Sequence, residues 1–292
     1  MDQAQQLRNV IKKQNQKMIR NSARVITVTS GKGGVGKSNV AVNLAIQFQK
    51  MGKKVIIFDA DFGLANVEVM FGAMPQYNLS DLIYNDMKIS EIITEGPMGI
   101  GFVSGGSGIL GLNNLSKAQL LYLLNCMEEL ASLADVLIVD TGAGISDSVM
   151  EFVLASPEVL LVTTPDPSSL TDSYSLLKTL YNTPEFKHHK GLVHVVANRA
   201  SSVGDGQTVF DKLNSVVKQF LDGDISYIGM IPQDGYLEKA VRQQKPVSMC
   251  YPNSKSAKAF ERLAETLMNK ENDCIYTKWG IAKLLDKLLS RE

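Results

Sequence analysis

Nine residues, Ser30-Gly31-Lys32-Gly33-Gly34-Val35-Gly36-Lys37-Ser38, constrain this chain more than any other stretch. They follow an apolar, β-branched run, Val25–Thr29, and open a helical pattern over Asn39–Met51. A strand that breaks into glycines and resumes as a helix can wrap phosphate oxygens in backbone N–H groups. The helix N-terminus adds partial positive charge. Lys37 supplies a full charge and Ser38 a hydroxyl for Mg²⁺. The candidate phosphate-binding residues are Gly31, Lys32, Gly33, Gly34, Val35, Gly36, Lys37, Ser38 and Asn39.

The same glycines satisfy a looser pattern. Gly31, Gly33 and Gly36 spell G-x-G-x-x-G, and Asp59 follows at the distance where a dinucleotide fold places its ribose-binding acid. Lys37-Ser38 separates the two readings. A nucleoside triphosphate with Mg²⁺ needs both side chains, whereas a dinucleotide pyrophosphate needs neither. A nicotinamide-binding oxidoreductase stays as the remote alternative.

The 292 residues, 45% of them hydrophobic, suffice for one large α/β domain or two small ones. Basic and acidic residues both number 30, so no global field calls for nucleic acid. Positive charge is concentrated at the start, where Arg8, Lys12, Lys13, Lys17, Arg20 and Arg24 face Asp2 alone. Cys126, Cys250 and Cys274 lie far apart, which fits a reduced cytosol and offers no paired ligands for an iron–sulfur cluster. Residues 1–22 have no apolar core of a signal peptide, and no run approaches the ~20 apolar residues of a membrane span.

Strand and helix patterns then alternate almost to the end. Short apolar runs at Val55–Phe58, Ile100–Val103, Val136–Val139, Val159–Thr163, Val193–Ala197 and Ile225–Ile228 read as strands buried on both faces. Helical patterns occupy Asn39–Met51, Leu115–Leu133, Leu170–Tyr181, Val209–Leu221, Tyr236–Arg242 and Ser256–Lys270, with short ones at Leu79–Tyr84 and Ile89–Ile93. The expected fold is α/β: a doubly wound, mostly parallel sheet flanked by helices over residues 23–270. Segments 1–22 and 271–292 fall outside it.

Two strands end in acids. Val55–Phe58 runs into Asp59-Ala60-Asp61, at the end where parallel strands meet a ligand. Period-2 spacing would aim both acids the same way while the strand persists, and turn-forming aspartates are the plainer reading. Val136–Val139 runs into Asp140-Thr141-Gly142-Ala143-Gly144, a Walker B form whose carboxylate reaches Mg²⁺ through water. Gly142 and Gly144 would let the following loop respond to loss of the γ-phosphate. His188 and His189 sit in a polar linker without ligand spacing and read as solvated.

Lys32, directly after the first glycine, resembles the deviant Walker A loop of the MinD/ParA family. That resemblance implies an ATP-dependent homodimer in which Lys32 reaches the phosphates of the other subunit. It implies that Asp61 positions the attacking water, that Asp59 is a Mg²⁺-shell or loop-ordering acid, and that Ser38 and Asp140 manage Mg²⁺. Asn198, in Ala197-Asn198-Arg199, matches the adenine-binding Asn of MinD-like proteins, and Ile231-Pro232-Gln233-Asp234 resembles the next base-side loop. Arg199, Pro232 and Asp234 join it as base-site candidates. Guanine would call for an N-K-x-D acid that Arg199-Ala200 does not supply, so ATP and ADP are the expected nucleotides.

Asp2-Gln3-Ala4-Gln5-Gln6-Leu7-Arg8, with Thr164-Pro165-Asp166-Pro167-Ser168-Ser169-Leu170-Thr171-Asp172, makes the chain similar throughout to the FlhG (FleN, YlxH) branch of that family. Its members control flagellar number and placement. The resemblance implies that Asp2, Gln3, Ala4, Leu7 and Arg8 bind the GTPase FlhF and stimulate it, Gln3 entering the composite site. A disordered polar tail is the plainer alternative. A flagellar C-ring protein is a second expected partner.

At the other end Ile281, Leu284, Leu285, Leu288 and Leu289 follow i, i+3, i+4, i+7, i+8, with Lys283, Asp286, Lys287 and Arg291 off that face. This suits a helix lying in a membrane interface, though an ordinary core helix shows the same stripe. Two such helices on an ATP dimer would bind by avidity. The expected protein is cytoplasmic, reversibly attached to the inner face of the cell membrane, with no specific nucleic acid. A ParA-type DNA-segregation or MinD-type division-site ATPase is the nearer alternative.

Overall fold

The computed structural model describes residues 23–62, 64–85, 87–106, 116–184, 186 and 192–269. The strands are β1 (Arg24–Ser30), β2 (Val55–Ala60), β3 (Thr94–Glu95), β4 (Gly101–Val103), β5 (Val136–Ala143), β6 (Glu158–Thr163), β7 (Leu192–Ala200) and β8 (Ser226–Pro232). The helices are α1 (Lys37–Lys50), α2 (Asn66–Phe71), α3 (Leu79–Tyr84), α4 (Ile89–Ile92), α5 (Lys117–Leu133), α6 (Asp147–Ala155), α7 (Pro167–Asn182), α8 (Val203–Phe220), α9 (Gly235–Arg242), α10 (Val247–Cys250) and α11 (Lys255–Asn269).

One sheet runs β3-β4-β2-β5-β1-β6-β7-β8. All its pairings are parallel except β3 with β4. The doubly wound fold is therefore as expected. β1 lies between β5 and β6, so the chain winds outward to both sides from it. A ligand crevice belongs at such a switch point, beyond the carboxyl ends of the strands.

Period-2 alternation fills both faces. Ile26, Val28, Val55, Ile57, Val136 and Ile138 pack toward α1 and α11 with Leu44, Phe48, Phe260 and Leu263. Val25, Ile56, Phe58, Leu137 and Val139 point to the other face, against Leu82, Met127 and Leu130. Val159 and Leu161 meet α6, α7 and α8. Each fully buried large apolar side chain contributes about 1.5–3 kcal/mol.

The structure departs from the sequence pattern where local chemistry is polar or glycine-rich. α8 begins at Val203, six residues before the apolar stripe, because the Ser202 hydroxyl accepts the Asp205 N–H and caps it. A Cβ on Gly206 would stand 2.6 Å from the Tyr227 hydroxyl, so this glycine serves packing. β8 continues to Pro232 past Gly229, whose φ of +140° accompanies a register shift against β7. Helices α2, α6 and α10 are too short or too uniformly apolar to have shown a period. The expected N-terminal and C-terminal segments, with Asp2, Gln3, Ala4, Leu7, Arg8, Ile281, Leu284, Leu285, Leu288 and Leu289, lie outside the described residues, as do His188 and His189.

Candidate active site

The glycine loop joins β1 to α1 at the switch point. Gly34 and Gly36 have φ of +76° and +96°, a region that costs a side-chain-bearing residue strain. Gly36 is the N-cap, and Lys37 opens α1. Gly31 lacks a side chain for another reason: its Cβ would lie 2.2 Å from the Asp172 carbonyl carbon of α7. The loop therefore rests backbone to backbone on that helix. Asn198 holds its other side, donating through Nδ2 to the Val35 carbonyl at 2.7 Å.

Lys37 is buried. Burial lowers its pKa, opposed by the nearby charges of Asp140 and Asp61. Asp140 lies in the buried part of β5, with no exposed surface. Neither of its oxygens has a hydrogen-bond partner among the described residues. The nearby Ser38 hydroxyl favours the ionised carboxyl. Burial first, then the opposing pull of Ser38 and Lys37, leaves this acid at about 7. An orphaned buried carboxylate facing a hydroxyl and an ammonium fits Mg²⁺ with phosphate, because Mg²⁺ takes hard oxygen donors and phosphates pair with lysine.

Asp59 and Asp61 do different work. β2 ends at Ala60, so the two acids are not carried on one strand. Asp59 accepts the N–H groups of Asp61 at 3.1 Å and Val67 at 3.2 Å, tying the loop to the first turn of α2. Of the two roles open in the sequence, loop ordering is the one its contacts perform here. Asp61 is half-buried, and its Oδ2 accepts from the Asn66 amide at 3.2 Å. A Cβ on Gly142 would come within 3.6 Å of Asp61 Oδ1, so that glycine keeps the space beside the carboxylate open.

Lys32 turns elsewhere. Its ammonium donates to the Ser168 hydroxyl, 2.6 Å away, in the first turn of α7. Gly33 is exposed, and the nearest atom to its would-be Cβ is the Ala143 methyl at 3.9 Å.

A pocket of about 440 Å³ opens beside the loop. Gly36, Asn39, Asn198, Arg199, Pro232 and Asp234 line it, so the base-site candidates do converge. Two are committed inside the protein. Asn198 also accepts the Arg199 N–H, and Asp234 accepts Tyr236 N–H together with the N–H and hydroxyl of Ser256. α9 adds Leu237, Glu238, Val241 and Arg242, which the sequence reading missed. Ser168, although it lies within the Thr164–Asp172 motif, and Asn66 were given no role there. The α9 residues carry no motif of their own, because tertiary packing places them.

The sequence profile of the ParA family, described as NUBPL iron-transfer P-loop NTPases, matches residues 21–268. The antiactivator FleN of Pseudomonas aeruginosa is 42% identical over 242 residues, 83% of this chain and 85% of FleN. The flagellum site-determining protein YlxH of Helicobacter pylori is 34% identical over 273 residues, 92% of this chain and 91% of YlxH. The chain belongs to the ParA/MinD family of P-loop ATPases, in its FleN/YlxH branch. Among solved structures, the cell-division ATPase MinD of Pyrococcus furiosus superposes with a TM-score of 0.67 at 25% identity, covering 85% of this chain and 99% of that one. MinD of Pyrococcus horikoshii, complexed with Mg-ADP, shares the fold with a TM-score of 0.68 at 24% identity, over 88% of this chain and 99% of that one. The dinucleotide reading is thereby set aside.

For this ATPase the geometry divides the labour. Bound Mg²⁺ supplies charge neutralisation at the phosphates. Ser38 and Asp140 are the residues that would hold it, directly or through water. The loop N–H groups and Lys37 are the donors that would gather phosphate oxygens, and burial would strengthen each charge contact. Asp61, half-exposed, is held by Asn66.

Proposed function

We propose that this ATPase is a switch governing flagellar number and placement, active as an ATP-bound dimer on the membrane. The names of its FleN and YlxH relatives support the flagellar assignment. One contact carries the switch reading: Lys32 is bonded to Ser168 of its own chain, at the edge of α7, while Lys37 alone joins the buried acids. A second loop lysine so placed suits phosphates carried by a second copy. Asp61 then positions the attacking water, with Lys37 and the other copy's Lys32 stabilising phosphate charge.

Two further elements complete the reading. Asp2, Gln3, Ala4, Leu7 and Arg8 bind and stimulate the GTPase FlhF, and a C-ring protein is the second client. Ile281, Leu284, Leu285, Leu288 and Leu289 insert into the bilayer, two helices per dimer binding by avidity. Among the described residues no helix is long and apolar enough to cross a membrane, so attachment is peripheral in this reading.

Liposome flotation, DNA retention and FlhF turnover, each with ATP present, test it together. The full chain is expected to float with vesicles, to leave DNA free, and to stimulate GTP hydrolysis through Gln3. DNA retention without flotation would favour a segregation ATPase. Undiminished stimulation by Gln3→Ala would remove the composite-site role.

A further inference from the structure

Asn198 and Asp234, two of the base-site candidates, face inward. Asn198 is 3% exposed, with Nδ2 on the Val35 carbonyl and Oδ1 on the Arg199 N–H. The Asp234 carboxylate accepts three donors, the Tyr236 N–H and the N–H and hydroxyl of Ser256. These bonds shape the pocket rather than reach into it. They hold the phosphate loop on one side and the start of α9 on the other.

α9 turns a mixed face to that space. Ala240 anchors the helix in the core, while Leu237, Glu238, Val241 and Arg242 line the pocket at i, i+1, i+4 and i+5. With Pro232, Leu237 and Val241 supply apolar walls that suit a flat ring. Glu238 is exposed, and among the described residues its carboxylate has no hydrogen bond or ion pair. Arg242 stands one turn on, at the spacing of an ion pair, and does not close one with it. Among the lining side chains that can accept a hydrogen bond, Glu238 alone is both charged and uncommitted.

An ionised carboxylate can only accept hydrogen bonds. The nucleoside of ADP or ATP offers two kinds of donor, the adenine amino group and the ribose hydroxyls. Without such a donor, a carboxylate near a polyphosphate only repels it.

We propose that Glu238 is a specificity-determining residue of this ATPase, accepting a charge-assisted hydrogen bond from a donor on the nucleoside. It rests on the reading of this pocket as the nucleoside site.

Calorimetry of the full chain with Mg²⁺ tests it on four ligands. They are ADP, inosine diphosphate without the amino group, 2′,3′-dideoxyadenosine diphosphate without the hydroxyls, and tripolyphosphate without the nucleoside. Glu238→Ala should bind ADP about tenfold or more weakly and tripolyphosphate as wild type does. Glu238→Gln keeps an acceptor oxygen and should recover part of the loss. A contact to the amino group shows as a loss on the dideoxy ligand and none on inosine diphosphate; a ribose contact shows the reverse. The sign is decisive, because removing a negative charge near phosphates would by itself tighten binding. ADP binding by Glu238→Ala at or above wild-type strength would overturn the proposal, as would an equal loss on all four ligands. Val241→Trp, which fills the pocket from the same face of α9, separates the two ideas. If it weakens ADP alone while Glu238→Ala is unchanged, the nucleoside site stands and the role of Glu238 falls. If Val241→Trp binds ADP like wild type, the pocket is not the nucleoside site and the proposal falls with it.

Discussion

Asp59 and Asp140 are directly paired residues on the adjacent parallel strands β2 and β5, and neither has exposed surface. Side chains of paired residues share a face. Burial raises the pKa of both, and the charge of Asp140 raises that of Asp59 further. Asp59 is relieved by two backbone N–H groups, whereas Asp140 has none. The acid assigned to Mg²⁺ is therefore the one of the pair left without a backbone donor.

Asp140→Asn should stabilise the nucleotide-free protein while disabling it. A carboxyl raised to about 7 favours folding in its protonated form. That contribution is fully present below the unfolded value near ~4 and is lost as pH climbs through the folded value. Removing an orphaned buried charge is worth about 1–2 kcal/mol, or roughly 2–6 °C in Tm for a domain this size. Thermal unfolding at pH 8 should show this gain, and at pH 5 the gain should shrink. ATP turnover should fall by about two orders of magnitude or more. A lower Tm at pH 8 would mean that Asp140 already has a stabilising partner.

Gly31 and Gly33 should behave differently despite their shared motif. Ala at Gly31 would drive its Cβ into the α7 backbone at 2.2 Å, while at Gly33 the nearest atom is 3.9 Å away. Gly31→Ala should cost about 3 kcal/mol or more and abolish nucleotide binding, because loop or helix must move. Gly33→Ala should leave the Tm within ~2 °C of wild type. Denaturant melts with and without ATP compare the two.

The two loop lysines should separate binding from assembly. Lys37→Ala removes the ammonium beside Asp140 and should weaken ATP binding about a hundredfold or more in calorimetry. Among the described residues, Lys32→Ala breaks the Ser168 contact. It should bind ATP within about threefold of wild type yet fail to dimerise. Full ATP-dependent dimerisation of Lys32→Ala would confine this lysine to its own chain.

Much of this was legible because the decisive signals are local. The glycine loop, Lys37-Ser38 and the acids Asp59 and Asp140 each announce themselves next to an apolar strand, and parallel topology then forces them to one end. What escaped notice is placed by tertiary contact. Ser168 matters because Gly31 lets α7 touch the loop, and Glu238 and Arg242 because α9 turns one face to the pocket. Helix α6 was missed because Val149, Met150, Phe152 and Val153 are all buried, which erases the amphipathic period. Asp59 was ambiguous because only the folded loop shows which N–H groups it accepts.

The central claim is that ATP hydrolysis at this site resets a dimer, and Asp61→Ala tests it most directly. Asp61 lies just beyond β2, half-buried and bonded to Asn66, apart from the buried pair Asp59 and Asp140. Molar mass by light scattering during size-exclusion chromatography, with ATP–Mg²⁺ and then with ADP–Mg²⁺, is the measurement. The account predicts that Asp61→Ala elutes as a persistent dimer with ATP and a monomer with ADP, its turnover reduced about a hundredfold or more. A variant that stays monomeric with bound ATP, or hydrolyses it at the wild-type rate, would contradict the account.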